Sequence, residues 1–448
     1  MKKKMIVIGG GAAGMMTAIK ASDKYEVTII EKNEKCGKKL FITGKGRCNV
    51  TNASDEETFL RNVVTNPKFL YSSIYSYNQS QLMADIEAWG TKLKVERGDR
   101  VFPVSDHSSD IIKAFTSELA RRRVKIIYNT SVKQIICRPV EAEDITSEKK
   151  SAYEKEAVGL VLSGGKRMMA DVIVLTTGGR SYPLTGSLGE GYDMVKELGI
   201  EVVMPRPALV PLVTKETFVK EIMGLSLKNV SIKLIAGKNE YKGLKKDKIL
   251  YQEMGEMLFT HFGVSGPLCL SASSYVSNFI AGQCEKDQEL KDLFNKSRSF
   301  KPIILSIDLK PALSEEVLDK RILRDFEEFS NRELQNALVK LLPKSIIPFV
   351  IEMSGVSPCK KASDISLEER KRLLAALKDF RLTVNGLRGF EEAIITGGGI
   401  SVKEINPQNM ELKKVKNLRV AGEIIDVDAL TGGFNLQIAW STAYMAAE

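Results

Sequence analysis

The sequence predicts an α/β fold with a Rossmann-like domain formed from both ends of the chain. The first observation is a βαβ pattern, in which the apolar run Met5 to Ile8, a glycine turn and a helix from Ala12 to Ser22 precede a strand from Val27 to Glu31. The second is the continuous apolar run Asp171 to Thr176, which ends at two glycines, as buried parallel strands do beside a ligand crevice. The third is a strand-like run followed by a helical segment at the end of the chain.

The glycine turn after the first strand has the form G-x-G-x-x-G and leads into a helix. Gly9 permits the tight turn, Gly11 lets the backbone approach a pyrophosphate, and Gly14 allows the helix to pack closely on the strand. The unpaired N–H groups at the start of the helix attract phosphate. We therefore predict a dinucleotide site at this turn.

Glu31 closes the second strand, where a carboxylate accepts hydrogen bonds from ribose hydroxyls and repels a 2′-phosphate. A tight βα turn without a ligand is the alternative interpretation of the glycines. Strand, helix and acid together favour the nucleotide. The motif does not distinguish FAD from NAD.

Between the two ends of the chain, periodicity predicts further elements. A helix from Ser108 to Arg123 precedes a strand from Val124 to Tyr128. Strands at Thr130 to Cys137 and Val158 to Leu162 form an antiparallel excursion, separated by a charged surface insertion from Glu141 to Glu156. The remaining predictions are an ordered loop around a ligand at Cys36 to Asn52, a helix at Gly189 to Leu198, a strand at Leu418 to Ala421 and a helix at Gly433 to Ala447.

The middle of the chain changes character after Pro205. Short strand-like runs follow one another there, and from Ser314 to Phe380 the pattern becomes helical. The strand-like runs are Leu209 to Val213, Ser231 to Ile235 and Ile303 to Leu309, and the longer helical stretches are Asn331 to Leu342 and Leu367 to Phe380. The predicted domains are residues 1–203 with 382–448 for the discontinuous Rossmann-like domain, 204–310 for a β-rich inserted cap that supplies the substrate pocket, and 311–381 for a helical subdomain.

Composition excludes several classes of function. The formal charge of +10 comes from 66 basic and 56 acidic side chains spread along the chain, so nucleic acid is not the expected partner. Six cysteines without close spacing indicate a reducing cytoplasm rather than a disulfide scaffold, and His107 and His261 do not suggest a metal site. No apolar run is long enough for a membrane span, and the oligomeric state stays open.

Several longer segments carry a family resemblance across nearly the whole chain. They resemble the bacterial BaiN-like (YhiN-like) flavoproteins, which are NAD(P)/FAD-dependent oxidoreductases. The segments are residues 44–52 (GKGRCNVTN), 177–179 (TGG), 185–192 (TGSLGEGY), 208–212 (ALVPL), 259–267 (FTHFGVSGP), 421–428 (AGEIIDVD) and 431–437 (TGGFNLQ). The resemblance implies a GR2-type FAD-binding domain and NAD(P)H as a transient electron donor. Related chains often have Gly and Tyr where this one has Ala429 and Phe434.

The resemblance also implies which residues surround FAD. These are Gly9, Gly11, Ala12, Ala13, Gly14, Glu31, Lys32, Lys39, Leu40, Gly46, Arg47, Cys48, Asn49, Thr177, Gly178, Gly179, Gly422, Glu423, Asp426, Gly432, Gly433, Phe434, Asn435 and Leu436, with the backbone of Val132 at the adenine. A Gly-Gly step that opens a helix at Phe434 fits this assignment, because its N–H groups and dipole stabilise the negative charge of a reduced flavin. A glycine helix cap without a ligand is the alternative.

Candidate reactive side chains are few. Cys36 and Cys48 are too far apart for a close-spaced redox disulfide, and Cys48 is expected to pack beside the cofactor. His261 is the better histidine for a proton donor or substrate contact, although a hydrogen-bonded structural role is the favoured alternative. Arg180 and Tyr182 follow the Thr-Gly-Gly turn and are candidates for contact with flavin or substrate.

The predicted reaction is hydride transfer through FAD from NAD(P)H to a small organic acceptor, such as a conjugated enone, and the family resemblance suggests a hydrophobic or steroid-like one. This chemistry depends on stacking and exclusion of water, and no catalytic triad or pair of carboxylates stands out in the sequence. The alternatives are an FAD-dependent oxidase of a small amine or aminoketone, and a non-catalytic FAD-containing RNA-associated protein.

Overall fold

The computed structural model describes residues 2–140 and 153–448, so most of the predicted surface insertion at 141–156 lies outside the described residues. The chain divides into two compact units. Unit 1 is Met1–Ala208 with Phe390–Glu448, and unit 2 is Leu209–Gly389. The predicted division into three domains stays a prediction.

The first part of unit 1 contains eleven labelled strands and seven labelled helices within the described residues. Its strands are β1 (Lys3–Ile8), β2 (Tyr25–Ile30), β3 (Thr51–Asn52), β4 (Leu93–Glu96), β5 (Arg100–Pro103), β6 (Lys125–Ile127), β7 (Val132–Pro139), β8 (Lys155–Leu162), β9 (Arg167–Met169), β10 (Val172–Leu175) and β11 (Val202–Ala208). Its helices are α1 (Ala12–Ala21), α2 (Lys38–Ile42), α3 (Glu56–Arg61), α4 (Tyr71–Ser76), α5 (Gln79–Ala88), α6 (Ser108–Arg121) and α7 (Glu190–Glu197).

Unit 2 and the end of the chain follow. Unit 2 has strands β12 (Leu212–Thr214), β13 (Ser226–Ala236), β14 (Lys248–Thr260), β15 (Gly263–Ser265), β16 (Ser299–Asp308) and β17 (Phe380–Leu387), and helices α8 (Pro267–Cys284), α9 (Gln288–Ser297), α10 (Glu315–Glu328), α11 (Leu334–Ala337), α12 (Ile347–Ser354) and α13 (Leu367–Lys378). Unit 1 is completed by β18 (Ile395–Ile400), β19 (Val415–Lys416), β20 (Leu418–Val420) and α14 (Phe434–Ala447).

The central sheet of unit 1 has the order β20–β10–β1–β2–β6, and its strands are parallel. Its innermost strands are apolar and buried, as expected when both faces of a parallel sheet are covered. Strand β1 is the middle strand: β2 and β6 lie on one side of it in the sheet, and β10 and β20 lie on the other side. The predicted α/β Rossmann fold, formed from both ends of the chain, is therefore confirmed.

The last helix, α14, is part of the core of unit 1. The indole of Trp440 is fully buried, donates from Nε1 to the carbonyl of Val50 at 3.1 Å, and stacks on Phe115 with ring centroids 4.8 Å apart. The hydroxyl of Thr17 on α1 donates to the carbonyl of Ala443 on α14 at 3.3 Å. The first and last helices of the chain thus pack against each other.

Smaller sheets complete unit 1. Strands β7 and β8 pair in antiparallel fashion, as predicted, and β9 and β19 add to β8. Strand β5 lies between β3 and β4, and β11 pairs with β18 in antiparallel fashion. The sequence patterns did not indicate β11.

Unit 2 is a closed barrel with helices. The barrel follows the order β12–β15–β14–β13–β16–β17. The predicted helix start at Ser314 is confirmed, because its hydroxyl accepts a hydrogen bond from the N–H of Val317 at 3.3 Å. No helix within residues 2–140 and 153–448 combines the length and apolar character needed to cross a bilayer.

Three sequence predictions need correction. The segment Cys36–Asn52 contains α2, a 3-10 turn and β3 rather than only a loop. The predicted helix Asn331–Leu342 shrinks to α11 and a 3-10 turn, since the N–H of Leu334 bonds to Lys360 in a neighbouring segment. The predicted β-rich region also contains α8 and α9. Helix α8 is buried on several faces and therefore lacks the one-sided apolar period that sequence reading detects.

Replacing Trp440 with alanine should lower the free energy of unfolding by about 3–5 kcal/mol, because it removes a fully buried indole and its hydrogen bond. Urea unfolding followed by circular dichroism measures this. The matched control is Trp89→Ala, at a partly buried tryptophan that should cost less. Equal losses for the two variants would contradict the central role of α14.

Candidate cofactor site

The loops that follow the parallel strands converge at the carboxyl edge of the central sheet. Strands β1 and β10 are neighbours there, although the chain leaves them in opposite directions. Ligands bind at this switch point in open α/β sheets, because the loops diverge and leave a crevice. The loops at this edge are residues 9–11, 176–179 and 421–423, with Glu31 after β2.

In the glycine turn after β1, a side chain at Gly9 or Gly14 would collide with backbone atoms. A Cβ on Gly14 would lie 1.8 Å from the carbonyl oxygen of Gly9, and a Cβ on Gly9 would lie 2.7 Å from that of Thr176. Gly9 also has a φ of +104°, which favours glycine. A Cβ on Gly11, in contrast, would meet nothing within 4 Å. Gly9 and Gly14 therefore serve packing, whereas Gly11 borders open space that suits a phosphate.

The N-terminus of α1 faces the same space. Its N-cap is Gly11, which offers no side-chain hydrogen bond, and its first turn, which includes Ala12 and Ala13, contains no acid. The first N–H groups of a helix lack partners within the helix and carry about half a positive charge together. This terminus is therefore suited to an anionic ligand.

Glu31 is 6% exposed, and its carboxylate is held on both oxygens. Oε2 accepts from the N–H of Gly10 at 2.6 Å, while Oε1 accepts from the backbone and side-chain nitrogens of Asn33 at 2.7 and 2.8 Å. A carboxylate has about four acceptor positions. These bonds leave Oε2 with one position for a ribose hydroxyl, in a fixed orientation.

The residues predicted near the adenine lie beside Glu31. The N–H of Thr130 donates to the carbonyl of Glu31 at 3.1 Å, and Val132 begins β7 two residues later. Lys32, next in the chain, forms an ion pair with Glu190 of α7. The Lys32 side chain can therefore contact a nucleotide only if its ion pair with Glu190 breaks.

The two ends of the chain touch at the crevice. A Cβ on Gly422, which follows β20, would lie 2.8 Å from the Cβ of Ala13 on α1. The N–H of Gly422 donates to Thr442 Oγ1 of α14 at 3.0 Å. This contact brings the glycine turn and the C-terminal segment into one site.

Glu423 is the centre of a polar network. Its carboxylate pairs with Lys39 of α2, and Oε1 accepts from Ser181 Oγ at 2.6 Å and from the N–H of Thr396 at 2.9 Å. Burial alone would raise the pKa of Glu423, but Lys39, Ser181 and the Thr396 N–H together lower it. Glu423 is therefore an ionised acceptor at neutral pH.

Helix α14 begins beside residues 51–52 with an uncapped N-terminus. Its N-cap, Gly433, has a φ of +99°, and a Cβ there would lie 2.3 Å from the carbonyl oxygen of Thr51. The Asn52 side chain donates to the carbonyl of Gly432 at 3.0 Å. The Asn435 side chain accepts a hydrogen bond from the N–H of Ala429 at 2.9 Å and donates one to its carbonyl at 2.8 Å. The N–H groups at positions 434–436 thus have no side-chain cap.

The segment 46–49 contributes an acceptor rather than a cation. The guanidinium of Arg47 is engaged by Glu96 at 2.5 Å and Asp106 at 2.6 Å, and lies 4.1 Å above the Phe102 ring. Hydrogen bonds to these two acids raise the pKa of Arg47. The buried Oδ1 of Asn49, in contrast, receives no hydrogen bond from the described residues. It suits a ligand donor such as a ring N–H.

Neither nearby thiol is prepared for redox chemistry. Burial raises the pKa of Cys36 to about 11 and that of Cys48 to about 12. A thiolate is the reactive form of cysteine. All six cysteines lie within the described residues, and none forms a disulfide. This agrees with the interpretation of Cys48 as a packing residue.

The Thr177–Gly179 turn leads to two of the candidate reactive residues. Thr177 Oγ1 is buried and forms no hydrogen bond with the described residues. The exposed Arg180 places its guanidinium 5.1 Å from the centre of the Phe390 ring. Tyr182 has a φ of +51°, and burial with nearby Glu392 raises its pKa.

His261 belongs to unit 2, at the turn between β14 and β15. Its side chain is exposed and stands edge-on to Phe262, with ring centroids 4.8 Å apart. The described residues provide no hydrogen bond to it. The favoured alternative, a hydrogen-bonded structural histidine, therefore has no support in the geometry.

The other predicted contact residues occupy ordinary positions in the site. Leu40 and Phe434 are buried, Asp426 accepts from Asn66 Nδ2 at 3.1 Å, and Leu436 is partly buried. A Cβ on Gly178 would lie 2.9 Å from Ser187 Oγ, and a Cβ on Gly179 would lie 2.4 Å from Thr396 Oγ1. Gly46, in contrast, borders open space.

Sequence reasoning missed five polar residues of this region: Asn66, Ser181, Arg206, Thr396 and Asp428. Thr396 opens a run of three glycines in β18, a signal that was available in the sequence. Asp428 closes the segment 421–428 that carries the family resemblance, whereas Asn66, Ser181 and Arg206 lie outside the quoted segments.

These residues fit FAD. The open space at Gly11 matches a pyrophosphate, and the remaining acceptor position of Glu31 matches a ribose. The unpaired oxygen of Asn49 and the uncapped start of α14 match a flavin ring. Which of the predicted residues contact the cofactor stays a prediction.

Two alanine substitutions in the glycine turn separate packing from binding. Gly11→Ala should leave stability unchanged but weaken FAD binding roughly 10- to 100-fold, because its methyl group enters the space for the phosphate. Gly14→Ala should lower the melting temperature of the protein without cofactor. Flavin fluorescence titration and thermal unfolding measure these effects. Unchanged FAD affinity in Gly11→Ala would argue against the phosphate site.

Comparison with known proteins identifies the family. The sequence matches the family described as HI0933-like protein Rossmann domain over residues 3–448. It is 27% identical to a 3-dehydro-bile acid delta(4,6)-reductase of Clostridium scindens over 98% of this chain and 97% of the relative. It is 28% identical to a ribosomal RNA dihydrouridine synthase of Haemophilus influenzae over 99% and 97%.

Among solved structures, the chain resembles a 3-ketosteroid delta1-dehydrogenase of Sterolibacterium denitrificans with a TM-score of 0.49 and 13% identity, covering 100% of this chain and 99% of that one. The family match spans almost the entire sequence. The chain therefore belongs to the HI0933-like family of Rossmann-fold, FAD-binding oxidoreductases.

Proposed function

We propose that this protein reduces a carbon–carbon double bond conjugated to a carbonyl group, with NADH or NADPH as the source of the hydride. FAD bound in the crevice supplies the hydride chemistry at its N5 atom. The acceptor gains one hydride at one carbon and one proton at the other, and the nicotinamide is oxidised. The observation that carries the proposal is the pair of uncapped helix starts, at α1 and α14, beside one crevice.

The geometry of the crevice supports a flavin reaction. The start of α1 and Glu31 provide sites for phosphate and ribose. The start of α14 offers partial positive charge where negative charge gathers on a reduced flavin ring. Burial raises the pKa of Cys36 and Cys48, so neither supplies a thiolate for a redox relay at neutral pH.

The relatives support this type of acceptor. The name of one describes a delta(4,6)-reductase of a 3-dehydro-bile acid, and that of the other describes a dihydrouridine synthase of ribosomal RNA. Uracil carries a double bond conjugated to a carbonyl, as does a 3-oxo steroid with a Δ4 bond. The identities of 27% and 28% do not favour either substrate over the other.

Three side chains are proposed to contact the reactants. Arg180 and Tyr182 follow the turn after β10, so they begin at the carboxyl edge of the sheet. His261 is an exposed imidazole without a hydrogen-bond partner in the described residues. We propose Arg180 and Tyr182 as substrate contacts and keep His261 as a candidate proton donor or substrate contact.

Anaerobic titration of the purified FAD-bound protein with NADH and NADPH tests the donor. We expect the oxidised flavin absorbance to disappear with one or both nucleotides. Addition of a steroid 4-en-3-one or a conjugated model enone should restore it without oxygen. Reduction followed by recovery only in air would instead favour an oxidase, and no reduction by either nucleotide would contradict NAD(P)H as the donor.

The substrate class requires a second measurement. The reduced protein is incubated separately with a 3-oxo-Δ4 steroid and with ribosomal RNA that lacks dihydrouridine, and products are analysed by mass spectrometry. One acceptor should gain two hydrogens, and Gly11→Ala should lose this activity in proportion to its loss of FAD. If RNA binds in a salt-dependent manner while the flavin stays inert, the non-catalytic RNA-associated role is favoured.

A further inference from the structure

Asp428 is a buried carboxylate beside the candidate FAD site, and it was not among the residues predicted to contact the cofactor. It lies between the loop after β20 and the start of α14, and is 1% exposed. Neither carboxylate oxygen accepts a hydrogen bond of good geometry from the described residues. Its backbone is well held, because its carbonyl accepts from the N–H groups of Val64 and Thr65 at 2.8 and 3.2 Å. The carboxylate itself is therefore not needed to fix the backbone.

This burial costs stability when Asp428 is ionised. Burial raises the pKa of Asp428 from its ordinary value of 3.8 to about 6, against the opposing effects of Arg206 and the Thr65 hydroxyl. The folded protein holds this proton more tightly than the unfolded chain does. The resulting contribution to stability is complete below about pH 4 and disappears as the pH rises through about 6.

A second acid and one base share this environment. Asp426 is 7% exposed, and burial raises its pKa although Arg206, Asn66 and the backbone of Gly398 oppose the shift. Arg206 on β11 is 4% exposed and lowers the pKa of both acids. We call Arg206, Asp426 and Asp428 the buried charge cluster. With both acids ionised, its net charge is −1.

The groups around the buried charge cluster do not cancel this charge. Glu201 further raises the pKa of Asp426. The Tyr192 hydroxyl on α7 is buried, and burial, Glu423 and Asp426 raise its pKa, so it is neutral. Glu423 is already paired with Lys39. Ionised Asp428 thus leaves an excess negative charge in a region shielded from water.

The buried charge cluster connects directly to the start of α14. Ala429, the residue after Asp428, is bonded through both backbone groups to the side chain of Asn435 in the first turn of that helix. Leu430 then donates to the carbonyl of Asn62 at 2.9 Å. The charge of Asp428 is therefore held at a fixed position relative to the helix terminus that we assign to the flavin ring.

We propose that Asp428 tunes the candidate FAD site electrostatically: with Arg206 and Asp426 it opposes the positive end of α14 and lowers the electron affinity of the bound flavin. This inference rests on the proposed FAD site but not on any particular substrate. A charge of the same sign destabilises the negatively charged reduced ring, and water does not screen it in a buried position. The reduced cofactor becomes a stronger hydride donor as a result.

The variant Asp428→Asn tests this in the FAD-bound protein. Above about pH 7 its flavin midpoint potential should be more positive than that of the wild type, because the buried negative charge is gone. Below about pH 5 the two potentials should converge, since Asp428 is then protonated in the wild type. The control is Asp325→Asn, which removes a 4%-exposed carboxylate of α10 in unit 2 that is paired with Arg321 and should leave the potential unchanged.

The outcomes separate a charge effect from a structural one. Equal potentials for Asp428→Asn and wild type at every pH would overturn the inference, and so would a shift of constant size from acid to alkaline pH. If Asp428→Asn does not retain FAD, Arg206→Gln provides the opposite change and should make the potential more negative; a shift in the other direction would overturn the inference. A wild type that binds no FAD would refute the proposed site instead.

Discussion

The close contact between the start of α1 and the loop after β20 is the constraint on which the rest of the site depends. Gly422 of that loop fits against Ala13 only because neither residue has a larger side chain, and its N–H donates to Thr442 of α14. The starts of α1 and α14 each carry about half a positive charge, and neither has a side-chain cap or an acid in its first turn among the described residues. Such termini favour an anionic ligand, and a dinucleotide that carries a flavin is one.

The acids of the site differ in how the fold compensates them. Glu31 and Glu423 are held by backbone N–H groups or a lysine, so they are acceptors in fixed orientations. Asp426 and Asp428 share a single buried arginine, and burial dominates the pKa of both. The first arrangement suits recognition of ligand hydroxyls, and the second suits control of the charge around the ligand.

The sequence predicted the elements whose patterns are local. The strand, turn and helix around Gly9, Gly11 and Gly14 were predicted within a few residues, because a short apolar run and the glycine spacing are both local signals. Strand β11 and helix α8 escaped prediction, as did the division of Cys36–Asn52 into a helix and a strand. Each of these depends on partners far away in the chain, such as β18 for β11.

The sequence by itself determined the fold class, the dinucleotide turn and the family, since each is expressed in residues close together or in long shared segments. Only the tertiary structure decided that Arg47 is engaged by Glu96 and Asp106, that His261 is exposed, and that Arg206, Asp426 and Asp428 share one buried region. The physical reason is that burial and charge pairing depend on which segments meet in space, and sequence spacing does not specify these meetings.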